Sequence, residues 1–169
     1  GAANSTIIDL TGWDTSNLVG AQRMFGSVRP GSFDNNNLTI VCSTWDMSSC
    51  ANLESFAGAS GGLEIQGCAN WNISNCTDIS YFADNNQLFN SNVATWNTAN
   101  VTNMDSAFKG ATSFNRPIGV WNTANVTKMN EMFNGASAFN QDLSNWNTST
   151  ATTMSEMFRF SYNPKTSLN

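Results

Sequence analysis

The chain contains no histidine, which removes the usual general base and the commonest metal ligand. Charge is also scarce, with 7 basic and 12 acidic side chains among 169 residues and a net of −5. No cluster of Lys or Arg exists, so the sequence offers no basic face for a phosphate backbone and excludes nucleic acid as a partner. Apolar residues make up 40% of the chain but never run long enough to cross a bilayer, and no signal-peptide pattern is visible. With only 3 prolines and no stretch of linker composition, residues 1–169 read as one domain. The carboxylates are scattered, mostly at cap or turn positions such as Asp105 and Asp142, without a close pair for acid–base work. No phosphate loop or nucleophile motif follows a strand. Asp14 and Asp46 make at most a weak calcium site. The expectation is a non-enzymatic protein with no cofactor.

What the chain does have is a period. Tryptophan returns every 25 residues at Trp71, Trp96, Trp121 and Trp146, and, at wider spacing, at Trp45 and Trp13. Periods of this size mark stacked units that complete one another's core. Three residues before each Trp stand Leu10, Cys42, Cys68, Val93, Ile118 and Leu143. Two after it stand Thr15, Met47, Ile73, Thr98, Thr123 and Thr148, and five after it Leu18, Cys50, Cys76, Val101, Val126 and Ala151. These offsets reproduce the pattern L-x-x-L-x-L-x-x-N/C of leucine-rich repeats, with Trp in the second leucine place. The alternation at Trp predicts a short strand in each repeat and a parallel sheet across repeats.

Downstream, Thr102-Asn-Met-Asp105 and Thr153-Met-Ser-Glu156 have the form of capping boxes. They predict short helices whose inner face carries Met104 and Phe108, or Met129, Met132 and Phe133, and which stop at Gly110 and Gly135. A second aromatic column, Phe89, Phe114 and Phe139, packs the return segment. Phe56 and Phe82 lie one residue nearer their Trp than Phe108 does, predicting shorter or rotated helices there. The first repeat is enlarged by a loop near 28–37, rich in Pro, Gly and Asn. The fold class expected is an α/β solenoid: a right-handed stack of about six coils, parallel sheet on one face and short helices opposite.

Asparagine occurs 26 times and recurs in fixed places, directly after Trp at Asn72, Asn97, Asn122 and Asn147, and four after it at Asn75, Asn100 and Asn125. Such columns are those of turns and side-chain ladders first, with a flat polar array for a glycan, a matrix or host protein, or ice as the functional alternative. Seven Asn-x-Ser/Thr sequons, at Asn4, Asn37, Asn72, Asn75, Asn100, Asn125 and Asn147, are glycosylation candidates, although composition alone would yield roughly six. Cys42 and Cys68 share one column and Cys50 and Cys76 another, in adjacent repeats. Stacked repeats sit near the separation a disulfide needs, whereas the two columns of one repeat do not. The predicted bridges are therefore Cys42–Cys68 and Cys50–Cys76, which imply an oxidising extracellular setting.

The segments Phe139-Asn-Gln-Asp-Leu-Ser-Asn-Trp146-Asn-Thr, Asn125-Val-Thr-Lys-Met129 and Met132-Phe-Asn-Gly-Ala136 resemble the BspA-type surface leucine-rich-repeat family. That family includes a domain of unknown function abundant in mycoplasma surface proteins. The match is specific over 89–158, looser over 42–88 and weak before that. The resemblance implies a secreted or cell-surface protein, associated with adhesion and without an agreed enzymatic activity. The chain opens without Met and reads as a piece of something longer. Leu168 falls one repeat after Leu143, and Ile7-Ile8-Asp-Leu10 opens directly into a strand. Ile7, Ile8, Leu10, Phe158, Phe160, Tyr162 and Leu168 are therefore candidates for head-to-tail self-association. The alternative expectation is a monomeric adhesive or glycan-binding module.

Overall fold

A computed structural model of the chain describes residues 6–26, 38–58 and 62–161. Successive repeats pair in parallel, through two different devices. Strands β1 (Thr6–Asp9), β2 (Leu38–Val41) and β3 (Leu63–Gln66) form a parallel sheet in that order. Further along each repeat, isolated parallel bridges join Gly20, Asn52, Asp78, Asn103, Lys128 and Thr153 in series. One apolar core runs continuously from Leu10 to Met157.

The strands lie upstream of the tryptophans, not at them. Each buried Trp from Trp45 to Trp146 donates its backbone N–H to the carbonyl three residues earlier, and the residue five after Trp donates to the residue two after it, as Val101 does to Thr98 and Val126 to Thr123. The apolar columns that suggested a strand are thus the two ends of β-turns flanking the indole, both facing inward. Among the described residues only the first three repeats form strands. Their upstream segments are β-branched or alternating, as in Leu38-Thr-Ile-Val and Leu63-Glu-Ile-Gln, whereas later repeats carry Asn90-Ser-Asn, Asn115-Arg-Pro and Asn140-Gln-Asp, which disfavour strand. There an amide ladder replaces backbone pairing, with Asn115 N–H donating to Asn90 Oδ1 at 3.1 Å and Asn140 N–H to Asn115 Oδ1 at 2.9 Å.

The expected helices are absent: among the described residues the only helical elements are short 3₁₀ turns at Cys68–Asn70 and Ile118–Val120. Where helices were expected, every second N–H closes a tight turn and the N–H between goes to the next repeat. Ala107, Lys109 and Ala111 donate to Met104, Ser106 and Phe108, while Met104, Ser106, Phe108 and Gly110 donate to Lys128, Asn130, Met132 and Asn134. An α-helix needs all of these donors for itself. The alternation forces one residue per repeat into the left-handed region, namely Arg23, Ser55, Tyr81, Ser106, Glu131 and Glu156, with φ between 54° and 56°. Each such non-glycine residue costs about 1–2 kcal/mol, offset here by the inter-repeat bonds. A second left-handed position, four residues on, is filled by Asn85 (φ 56°), Gly110 (φ 65°), Gly135 (φ 76°) and Phe160 (φ 57°), so these glycines serve a continuing turn and not a helix stop.

The displaced phenylalanines do not shorten or rotate anything. Backbone phase is constant, and two adjacent positions both face the core, so Phe56-Ala57 and Phe82-Ala83 in two repeats become Ala107-Phe108 and Met132-Phe133 in later ones, with all eight side chains buried. Phe56 and Phe82 stack on each other (5.6 Å) and meet the next Trp edge-on, at 5.1 Å, whereas Phe108, Phe133 and Phe158 form a separate stack. The column of Phe89, Phe114 and Phe139 is stacked at 5.8–5.9 Å, as the sequence predicts.

The tryptophans form one file from Trp13 to Trp146, centroids 6.1–6.4 Å apart and planes within 13°. From Trp45 onward each indole Nε1 donates to a carbonyl of the preceding repeat, those of Leu10, Cys42, Cys68, Val93 and Ile118, at 2.8–3.3 Å. Trp121 is 3% exposed and Trp13 is 57% exposed. Trp121→Ala therefore loses two stacking partners and a hydrogen bond, and should cost about 3–5 kcal/mol of stability in denaturant unfolding, against about 1 kcal/mol or less for Trp13→Ala. Equal costs at the two positions would show that the file is not what ties the repeats together.

Candidate functional site

The outward positions of the tryptophan face are polar and regularly spaced. Directly after each Trp stands an exposed Asp or Asn whose Oδ1 accepts the N–H two residues on: Asp14 from Ser16, Asp46 from Ser48, Asn72 from Ser74, Asn97 from Ala99, Asn122 from Ala124 and Asn147 from Ser149, at 2.9–3.1 Å. These Asx-turns let the chain bend after the indole. They also hold the carboxyls of Asp14 and Asp46 below the usual range through the Ser16 and Ser48 hydrogen bonds, which makes the two weak calcium candidates turn residues. Among the described residues no group of three His, Cys, Asp or Glu could hold a metal ion.

A second column reaches across repeats. Asn75, Asn100 and Asn125 donate Nδ2 to the carbonyls of Ser48, Ser74 and Ala99 at 2.6–2.7 Å. Beside them Thr77, Thr102, Thr127 and Thr152 donate Oγ1 to Ala51, Thr77, Thr102 and Thr127 at 2.9–3.3 Å. The Asn-x-Thr motif is thus an inter-repeat clamp, and Thr102 does not cap a helix. Of the sequon asparagines, Asn72, Asn75, Asn100, Asn125 and Asn147 are exposed, while Asn4 and Asn37 lie outside the described residues. The 28–37 loop does too.

The structure holds all four cysteines as free buried thiols where two bridges were expected. The columns are as expected, since Cys42 lies close enough to Cys68, and Cys76 to Cys50, that ionising one thiol of a pair would oppose ionising the other. Three of the sulfurs donate to main chain instead, Cys42 to Gln66, Cys50 to Asn52 and Cys76 to Asp78, at 3.3–3.4 Å. Burial pushes the thiols of Cys42, Cys68 and Cys76 up to about 12, and that of Cys50 in the same direction. The thiolate that would attack an oxidant is disfavoured.

The two ends of the stack differ. At one end Ile7 (65%), Ile8, Trp13 and Val19 (72%) are exposed, while Leu10 is buried. At the other, Phe160 (74%) and Met154 are exposed and Phe158 packs partly against the core. Tyr162 and Leu168 lie outside the described residues. On the flank a charged group joins adjacent repeats: Lys109 pairs with Glu131, near Asp84, whose carboxyl burial pushes up. A groove of about 540 Å³, invisible to periodicity, opens beside β3, with Glu64, Gln66, Asn90, Asn92 and Arg116 among its lining.

Two measurements test these environments. The raised Asp84 carboxyl means that the folded state holds this proton more tightly than the unfolded chain. Stability from this group is complete at low pH and is lost as pH rises from about 4 through the folded value. Asp84→Asn should therefore stabilise the protein at pH 7 by about 1 kcal/mol or less, given the partial exposure, and leave it unchanged at pH 3. Iodoacetamide at pH 8 should label the native cysteines at least tenfold more slowly than the urea-unfolded ones. Four residues unlabelled even after unfolding would indicate the two disulfides.

No curated protein and no solved structure matches the chain. A family profile does, over residues 2–62 and 53–169, which together span nearly the whole sequence. The stacked Trp, Asn and Thr columns described above are accordingly those of a member of the family described as Mycoplasma protein of unknown function, DUF285, to which this chain belongs.

Proposed function

We propose that this protein is a non-enzymatic structural element of a cell surface or extracellular matrix, a right-handed solenoid of six coils that associates head-to-tail through the two ends of its described stack. Complementarity of those ends is the observation that carries the reading. In the turn band, donors always face the following repeat: Ala21, Arg23 and Phe25 donate to Asn52, Glu54 and Phe56, and Met129, Glu131 and Phe133 donate to Thr153, Ser155 and Met157. In the last repeat the equivalent N–H groups of Met154, Glu156 and Phe158 have no partner among the described residues, nor do the carbonyls of Gly20, Gln22 and Met24 in the first.

A second copy set on the end would pair Met154 with Gly20, Glu156 with Gln22 and Phe158 with Met24, in the register that every internal junction uses. The threonine band supplies the reciprocal bond. Ala51 N–H donates to Val19 and Thr152 N–H to Thr127, so Val19 N–H and Thr152 carbonyl are the unpaired ends of that series. Exposed Ile7, Val19 and Phe160 add apolar area to the same two faces. A heterologous contact of this kind need not close, and it propagates. The surface setting draws support from the motif likeness to BspA-type repeats and from the polar lateral face. No helix among the described residues is long and apolar enough to cross a membrane.

The competing reading is a monomeric adhesive module, favoured by the flank groove. Light scattering separates them. Apparent mass should rise with concentration for the native chain, and Val19→Lys, which places a charge on the exposed N-terminal face, should return it to a monomer without lowering its thermal midpoint. A wild-type chain that stays monomeric at millimolar concentration overturns the fibre reading.

A further inference from the structure

The flank groove exists because the repeats change construction beside it. β3 has a neighbour, β2, on one side only. On its other side the next repeat offers the non-strand segment Asn90-Ser-Asn92, so the backbones part and leave a concavity of about 540 Å³. Arg116, one repeat further on, reaches back over it and donates Nε to the Asn90 carbonyl at 2.6 Å.

The charges in this groove are unequally committed. Glu64 is partly committed, accepting one bond on each oxygen, from Gln66 Nε2 at 3.0 Å and from Thr39 Oγ1 at 3.4 Å, and keeps a lone pair on each. The terminal nitrogens of Arg116 are not: they have no carboxylate within 4.0 Å among the described residues, whereas Arg23, Lys109 and Arg159 are each paired with a glutamate. A half-buried guanidinium fixed through Nε presents its remaining N–H groups as a fork suited to a carboxylate. Around it, the amides of Gln66 and Asn92 and the Glu64 oxygens offer donors and acceptors to hydroxyls, and the half-buried Leu88 gives a small apolar floor.

We propose that this groove binds a carboxylate-bearing sugar, such as a sialic or uronic acid at the end of a glycan, with the carboxylate on Arg116 and the ring hydroxyls on Gln66, Asn92 and Glu64. An extended peptide added to β3 is the other geometry an open sheet edge invites, but Ser91 Oγ already donates to the outward carbonyl of Ile65 and caps that edge. The site lies on the side of the stack and is independent of whether the ends self-associate.

The test titrates the full 169-residue chain with three probes, 3′-sialyllactose, lactose and N-acetyl-trialanine, by calorimetry and by ligand-detected NMR. Sialyllactose should saturate in the millimolar range, with lactose and the peptide at least tenfold weaker. Arg116→Gln should weaken sialyllactose at least tenfold, and Arg116→Lys, which keeps the charge and loses the fork, should weaken it less. Should either variant fail to fold, the comparison of sialyllactose with lactose on the native chain decides alone. Equal binding of the two sugars, peptide binding as tight as sialyllactose, an Arg116→Gln chain that binds undiminished, or no saturation by tens of millimolar would each overturn the proposal.

Discussion

The fold depends on hydrogen bonds made to the next repeat in preference to the next turn of the chain. A backbone donor buried without a partner costs on the order of 1–3 kcal/mol, and in a segment such as 104–110 half the donors find theirs about 25 residues away. The indoles from Trp45 onward do the same from their side chains, each reaching the carbonyl that opens a turn in the preceding repeat. A single repeat would lack both partners. Local conformation is therefore a collective property of the stack, which explains why left-handed residues as unsuited as Tyr81 and Glu131 are held in place.

Burial and hydrogen bonding divide the work between inside and outside. The interior is filled by Trp, Phe, Met, Cys and aliphatic side chains, and the buried polar residues among those described are small Thr and Ser together with Asn86, which is fully enclosed and donates Nδ2 to Ala57 at 3.3 Å while its Oδ1 has no partner among the described residues. The outside is fastened by short polar side chains, Asn and Thr, which bond the backbone of their neighbours and leave little for long charged residues to do. The low content of Lys, Arg, Asp and Glu follows from that construction. Charge then becomes conspicuous where it stands unpaired, as at Arg116.

Much of this was readable from the residues. The 25-residue period located the buried Trp file, the Phe89 column, the turn-making asparagines and the parallel stacking of repeats. The secondary structure within a repeat was less readable. Apolar residues three apart mark one face of a helix, and they equally mark the two ends of a β-turn; only the partner of the intervening N–H distinguishes them, and that partner lies in another repeat. Thr102 looks like a helix cap locally, yet its hydroxyl bonds Thr77. The groove left no periodic signal, since it arises where Leu63-Glu-Ile-Gln gives way to Asn90-Ser-Asn and periodicity averages such junctions away. Column placement also pointed to the bridges Cys42–Cys68 and Cys50–Cys76, yet it brings these pairs together whether they are thiols, as in this structure, or disulfides.

The exchange of Phe-Ala for Ala-Phe between repeats has a consequence for assembly of the chain on itself. Near-identical units can be threaded in the wrong order, with a repeat skipped and its neighbours joined almost as well. Here Phe82 fits the slot formed by Phe56 and the edge of Trp96, and Phe108 fits a different slot against Phe114. Joining the Phe82 repeat directly to the Phe133 repeat would set the bulky Met132 in register with Phe82, where the small Ala107 sits in the native stack. The swap therefore works as an address, marking which copy sits beside which in an otherwise degenerate array.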